Sequence, residues 1–161
     1  MPLITEELFI EDATLSLSTI SDVMSRGDFV GMRQFVKAAE IKRIEAIYKD
    51  LSGAERDWLR VERSDMLLVE VLPEPCLFDK IRQRIKIPVL FRGLHERELK
   101  MCNFGNTCFV AFYMFDFSLT HAEEFKVSAL SHRTLFGSGK YVVLIVVNVN
   151  SGVATREPRR P

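Results

Sequence analysis

The sequence predicts an α+β fold, a single compact domain with a mixed or antiparallel sheet of about five strands and three or four helices. Three observations predict it. The chain has 161 residues, 47% apolar and 27% charged, which suits one buried core and lies far from a disordered composition. Thr107–Leu119 alternates with apolar residues on both faces: Phe109, Ala111, Tyr113, Phe115 and Phe117 on one, Cys108, Val110, Phe112 and Met114 on the other. A strand covered on both sides is central in its sheet. Ile41, Ile44, Tyr48 and Leu51 follow a helical spacing and form one apolar stripe. The domain is expected to span residues 1–150, with 151–161 a flexible polar and basic tail.

The other elements follow in order. Leu8–Ile20 has an alternating stretch at Leu15 and Leu17, less strictly continued by Ile20, and reads as one strand or two short ones. Ser25–Asp28 (SRGD) is a turn; without an export signal its RGD tripeptide is not an adhesion ligand. Phe29, Met32, Val36 and Ala39 make a stripe slightly out of phase with the one that follows, so the helix ending near Leu51 begins between 29 and 37. Gly53 can supply a left-handed cap at its end. Ser52 and Glu55 have the spacing of a capping box, opening a second helix through about Arg63. Met66–Leu72 is a strand stopped by Pro73 and Pro75. Leu77–Ile85 reads as a short helix, with Leu77, Phe78, Ile81 and Ile85 inward and Lys80, Arg82 and Arg84 outward. Pro88–Leu94 is extended, and Glu98–Cys102 pairs through the turn at Asn103–Asn106 with the long strand. Thr120 and Glu123 repeat the capping-box spacing and start a helix to about Leu130. A glycine turn at Phe136–Lys140 precedes Tyr141–Val147, in which five of seven residues are β-branched. That run reads as a second central strand beside Thr107–Leu119, joined to it by the helix.

The N-terminus is acidic, without the basic and apolar regions of a secretory signal, and no apolar run is long enough to cross a membrane. Cys76, Cys102 and Cys108 are odd in number and lack a framework spacing, which favours buried free thiols. An intracellular location follows, in the cytoplasm, with nucleus or virion as alternatives.

Motifs that suggest chemistry fail on their spacing. Gly137–Lys140 (GSGK) lacks the upstream glycine, the hydroxyl residue and the following helix of a phosphate-binding loop. His95–Glu98 is not a zincin motif, because position 99 is Leu. Cys102 and Cys108 are too far apart for a paired zinc knuckle, whether completed by His121, His95 or His132. A Cys108 nucleophile beside His121 or His132 has no motif in its favour. Glu123 and Glu124 suit a helix N-terminus without any catalytic role. No catalytic, metal or cofactor residue is therefore assigned, and the protein reads as non-enzymatic.

Charge distribution is the informative bulk feature. Residues 1–79 carry nine basic and sixteen acidic side chains, a net of −7; residues 80–161 carry thirteen and six, a net of +7. Within 80–100, seven basic residues face two acidic ones. Lys80, Arg82, Arg84, Lys86 and Arg92 are the expected contact residues for a partner or a phosphate. The expected function is an interaction or self-assembly protein, with a protein partner or a second copy as ligand. Alternatives are a sequence-nonspecific RNA or anionic-membrane binder and a small enzyme whose site is not visible in the sequence.

A glycine turn, a long aromatic strand ending near an Asp, a short helix and a Val/Ile strand are together loosely similar to the C-terminal part of viral matrix-type proteins. The similarity covers less than a third of the chain. It implies a small viral structural or accessory protein, although the basic N-terminal arm and PPxY segment common in such proteins are absent.

Overall fold

The computed structural model describes residues 6–72, 77–79, 83–95, 108–118, 125–135, 141–148 and 153–155; within 77–79, 141–148 and 153–155, and at 118, 125, 134 and 135, it describes the backbone alone. The helices come first: α1 (Glu6–Ser25), α2 (Phe29–Met32), α3 (Ala38–Tyr48) and α4 (Gly53–Trp58), then a 3₁₀ turn at Arg63–Asp65. The strands follow: β1 (Met66–Val71), β2 (Leu77–Asp79), β3 (Arg84–Leu94), β4 (Cys108–Ser118), β5 (Phe125–Leu135), β6 (Tyr141–Asn148) and β7 (Val153–Thr155). Every pairing between named strands is antiparallel, in the order β1-β3-β4-β5-β6-β7, with β2 also on β3. The α+β class stands. β7 falls within the segment read as a tail.

α1 replaces the expected strands of Leu8–Ile20. Phe9, Ala13, Leu17, Ile20 and Met24 are all buried and recur every three or four residues, a helical stripe that the Leu15–Leu17 alternation disguised. Leu15 is 57% exposed and Leu17 fully buried, as neighbours on a helix can be. Glu6 and Glu7 in the first turn suit the positive end of the helix dipole. Phe9 packs on Phe115 and Phe117 of β4, which lays α1 against the inner face of the sheet.

Gly27 (φ 70°) makes the turn after α1, where the Tyr48 ring lies against it. The out-of-phase stripe has a physical cause. Between α2 and α3 the backbone leaves the helical path to form a parallel bridge with β5: Val127 N–H donates to Phe35 C=O at 2.7 Å, and Lys37 N–H donates to Val127 C=O at 2.9 Å. One expected helix is thus two. The Ser52–Glu55 capping box forms in both directions, but α4 stops at Trp58, short of Arg63, and Gly53 is its first residue rather than a left-handed cap.

Two further helices are corrected to strands. Within Leu77–Ile85, β2 pairs antiparallel with the start of β3, with Asp79 opposite Arg84 and Gln83 at φ 53°. Ile85 and Ile87 alternate with Arg84 and Lys86, a strand pattern continuous with Pro88–Leu94. The helix expected to reach Leu130 gives way to β5; its proposed start at 120–124 lies outside the described residues. A bulge sets Met114 opposite Ala129 but Phe115 opposite Val127, leaving Ser128 as the extra residue. Inward positions therefore run Val127, Leu130, His132, and the three-residue step across the bulge imitates a helix. β6 consequently pairs with β5 and not with β4. The strand–helix–strand order that carried the resemblance to matrix-type proteins is not formed, and the resemblance supports nothing below.

β5 pairs with β6 only from His132 onward. At Leu130 a side chain takes the place of the missing strand: the buried Glu40 of α3 accepts the Leu130 N–H at 3.2 Å and an Arg43 N–H at 3.3 Å. Burial pushes the Glu40 carboxyl up, partly offset by those two groups. Glu40→Ala should cost about 1–3 kcal/mol by orphaning a buried amide. Glu40→Gln, which keeps an acceptor, should cost less, and urea midpoints compare the two.

Candidate functional site on the sheet

Residues directly opposite each other on neighbouring strands share a face. On the inner face Val89, Phe91, Phe109, Ala111, Tyr113, Phe115, Val127 and Leu130 form the core with the helices. Two buried histidines lie in this layer. Tyr113 Oη and His132 Nε2 share a hydrogen bond of 2.7 Å. His95 lies against Phe109 with ring centroids 5.1 Å apart and the planes tilted by 43°, and its Nδ1 lies 3.9 Å from Asp65 Oδ2. Burial, with His95 as a second cause, lowers His132 to about 3, and burial pushes the Tyr113 phenol well above its ordinary range. His132 is thus neutral and the Tyr113 phenol unionised, both buried in the core.

The register also separates the thiol from the imidazole. His132 is opposite Ala111, and Ala111 points away from the Cys108 face. Cys108, half-buried, therefore sits on the other side of the sheet from His132. His121, Cys76 and Cys102 lie outside the described residues. Among the described residues no three His, Cys, Asp or Glu side chains gather as a metal site would need.

The outer face carries the charge. Of the expected contact residues, Lys80 and Arg82 lie outside the described residues, and Arg84, Lys86 and Arg92 occupy alternate outward positions on β3 rather than a helix. Arg84 is committed to an ion pair. Its Nε donates to Asp116 Oδ1 at 3.0 Å, while Lys37 Nζ reaches Asp116 Oδ2 at 2.6 Å. Asp116 is fully buried; burial pushes its carboxyl up, and hydrogen bonds from Lys37 and Arg84 outweigh this and hold it below its ordinary value. Lys86 and Lys126 stand opposite Asp116 on the flanking strands, both half-buried.

Toward the other end of the sheet one row crosses four strands: Leu68, Arg92, Val110 and Arg133. All four are exposed, Leu68 by 45% and Val110 by 38%. The expectation that β4 is covered on both faces thus fails at Val110, although Met114 on the same face is buried. Comparison with known proteins assigns no family. No family model, curated protein or solved structure matches the chain. No helix among the described residues is long and apolar enough to cross a membrane.

Sequence reasoning found Arg92 and missed Arg133. The missed signal was the bulge: without it β5 reads as a helix, and Arg133 has no strand position. Two arginines two strand spacings apart, roughly 10 Å, with apolar residues beside them can hold two anionic groups while covering Leu68 and Val110.

Proposed function

We propose that this chain is a non-enzymatic interaction protein that receives an acidic protein surface on the outer face of its sheet. The observation that carries the reading is the exposed row Leu68–Arg92–Val110–Arg133, in which apolar and basic residues alternate. Protein interfaces favour this mixture of arginine and apolar area, where an RNA platform would favour stacked aromatic rings. The nearest outer-face ring, Phe112, is half-buried in the next row.

Arg92→Glu with Arg133→Glu tests it. Both positions are exposed, so the melting temperature should move little. Binding to immobilised polyglutamate, single-stranded RNA homopolymer and phosphatidylserine vesicles is compared at low and high salt. The parent should bind polyglutamate at low salt and the double variant should not, because exposed charges are screened beyond about 8 Å at physiological ionic strength. Loss confined to RNA or to vesicles replaces the protein partner with that ligand. Equal behaviour of parent and variant on all three supports removes the proposal.

A further inference from the structure

We infer that the acidic surface is supplied by a second copy of the chain, whose α1 docks across the outer sheet face of its neighbour. This rests on the reading above and adds the identity of the partner. α1 buries one stripe on the inner face of its own sheet and exposes the opposite one, where Leu8 (53%) and Leu15 (57%) stand flanked by Glu7, Glu11 and Asp12. Arg63 partly offsets this charge, reaching Glu11 at 3.6 Å in an exposed pair. Few large apolar side chains are exposed among the described residues. Four of them, Leu8 and Leu15 on the helix and Leu68 and Val110 on the sheet, fall into two patches of opposite charge.

The spacings agree. Leu8 and Leu15 are seven residues apart, roughly 10 Å along a helix. Leu68 and Val110 are two strand spacings apart, again roughly 10 Å. With the helix laid across the strands, Leu15 covers Leu68, Glu11 and Asp12 meet Arg92, Leu8 covers Val110, and Glu7 reaches toward Arg133. Apolar and acidic positions on one copy then match apolar and basic positions on the other.

Within one molecule the two patches look in opposite directions, because α1 covers the inner face through Phe9 and the basic row lies on the outer one. They can meet only between copies. The contact is heterologous, head to tail, and leads to a chain or a closed ring rather than a two-fold dimer.

Sedimentation of the full chain over a concentration and salt series tests this. The parent should assemble at low salt and dissociate at high salt. Arg92→Glu/Arg133→Glu and Glu11→Lys/Asp12→Lys should each be folded and monomeric, with association weakened about a hundredfold or more, since like charges across an interface cost several kcal/mol. A mixture of the two variants should assemble again in strict alternation, because the acidic helix of one meets the basic sheet of the other and the reversed helix meets the reversed sheet. The quadruple variant, with both signs reversed, should assemble again. A parent that stays monomeric at low salt overturns the inference, and if it still binds polyglutamate through Arg92 and Arg133, the proposed function survives. Assembly that persists in either double variant, or a mixture that stays monomeric, also overturns it.

Discussion

Gly93→Ala is expected to destabilise the protein by about 3 kcal/mol or more, near the upper end for overpacking. Gly93 sits on the inner face of β3, opposite Met66 and Phe109. A Cβ there would run into the backbone carbonyl of Asp65 and lie 2.7 Å from Cε1 of the Phe109 ring. A flexible side chain could swing away, but the carbonyl cannot. It belongs to the 3₁₀ turn that feeds β1, where Asp65 also accepts the Glu62 N–H at 2.9 Å. The Phe109 ring is equally confined, packed against buried His95. Urea denaturation reads the loss. Gly53→Ala is the control: nothing lies within 4 Å of its Cβ position, so it should be neutral or slightly stabilising. Equal midpoints for the two variants would mean that β1 and β3 can part without cost.

Acid should weaken the fold well before the carboxylates titrate. His132 is held neutral at a pKa of about 3, against 6.5 in an unfolded chain. A depressed histidine contributes its full stability above pH 6.5 and loses it as pH falls toward 3, because only the unfolded chain takes up the proton. One unit corresponds to about 1.4 kcal/mol, so about 3 kcal/mol should be gone by pH 4. Asp116, held below its ordinary value by Lys37 and Arg84, adds its own loss only at lower pH. Glu40 acts in the opposite sense, since its raised carboxyl is relieved by protonation. Denaturation at pH 7, 5.5 and 4.5 is compared with Tyr113→Phe/His132→Phe, which removes both partners of the buried hydrogen bond at similar volume. The double variant should be close to the parent at pH 7, more stable than the parent at pH 4.5, and flatter in profile between 6.5 and 4. An unchanged profile would place the acid sensitivity elsewhere.

The strongly patterned segments were legible in the residues themselves. β4 alternates for eleven residues, β1 lies within Met66–Leu72, and the Ser52–Glu55 box forms as its spacing demands. These signals are local: period-two alternation, a run bounded by prolines, and two side chains three residues apart. The charge imbalance was also legible, and it singled out the basic segment 80–100, although the part that forms the start of β3 read as a helix.

Tertiary contacts decided the rest. α1 is a helix because its Phe9–Met24 stripe meets the sheet, and a short Leu15–Leu17 alternation cannot reveal which neighbour will cover it. β5 is a strand whose bulge shifts the alternation by one residue, which erases the local signal and creates a false helical one. Phe35 and Lys37 leave the helix to bond Val127, a partner about ninety residues away in sequence. The candidate site depends on all three. Arg92 and Arg133 become neighbours of Val110 only through strand register, and the α1 acids face away from them only because Phe9 fixes which side of the sheet the helix covers. Pairing register and burial are properties of the folded chain as a whole, so no window of sequence contains them.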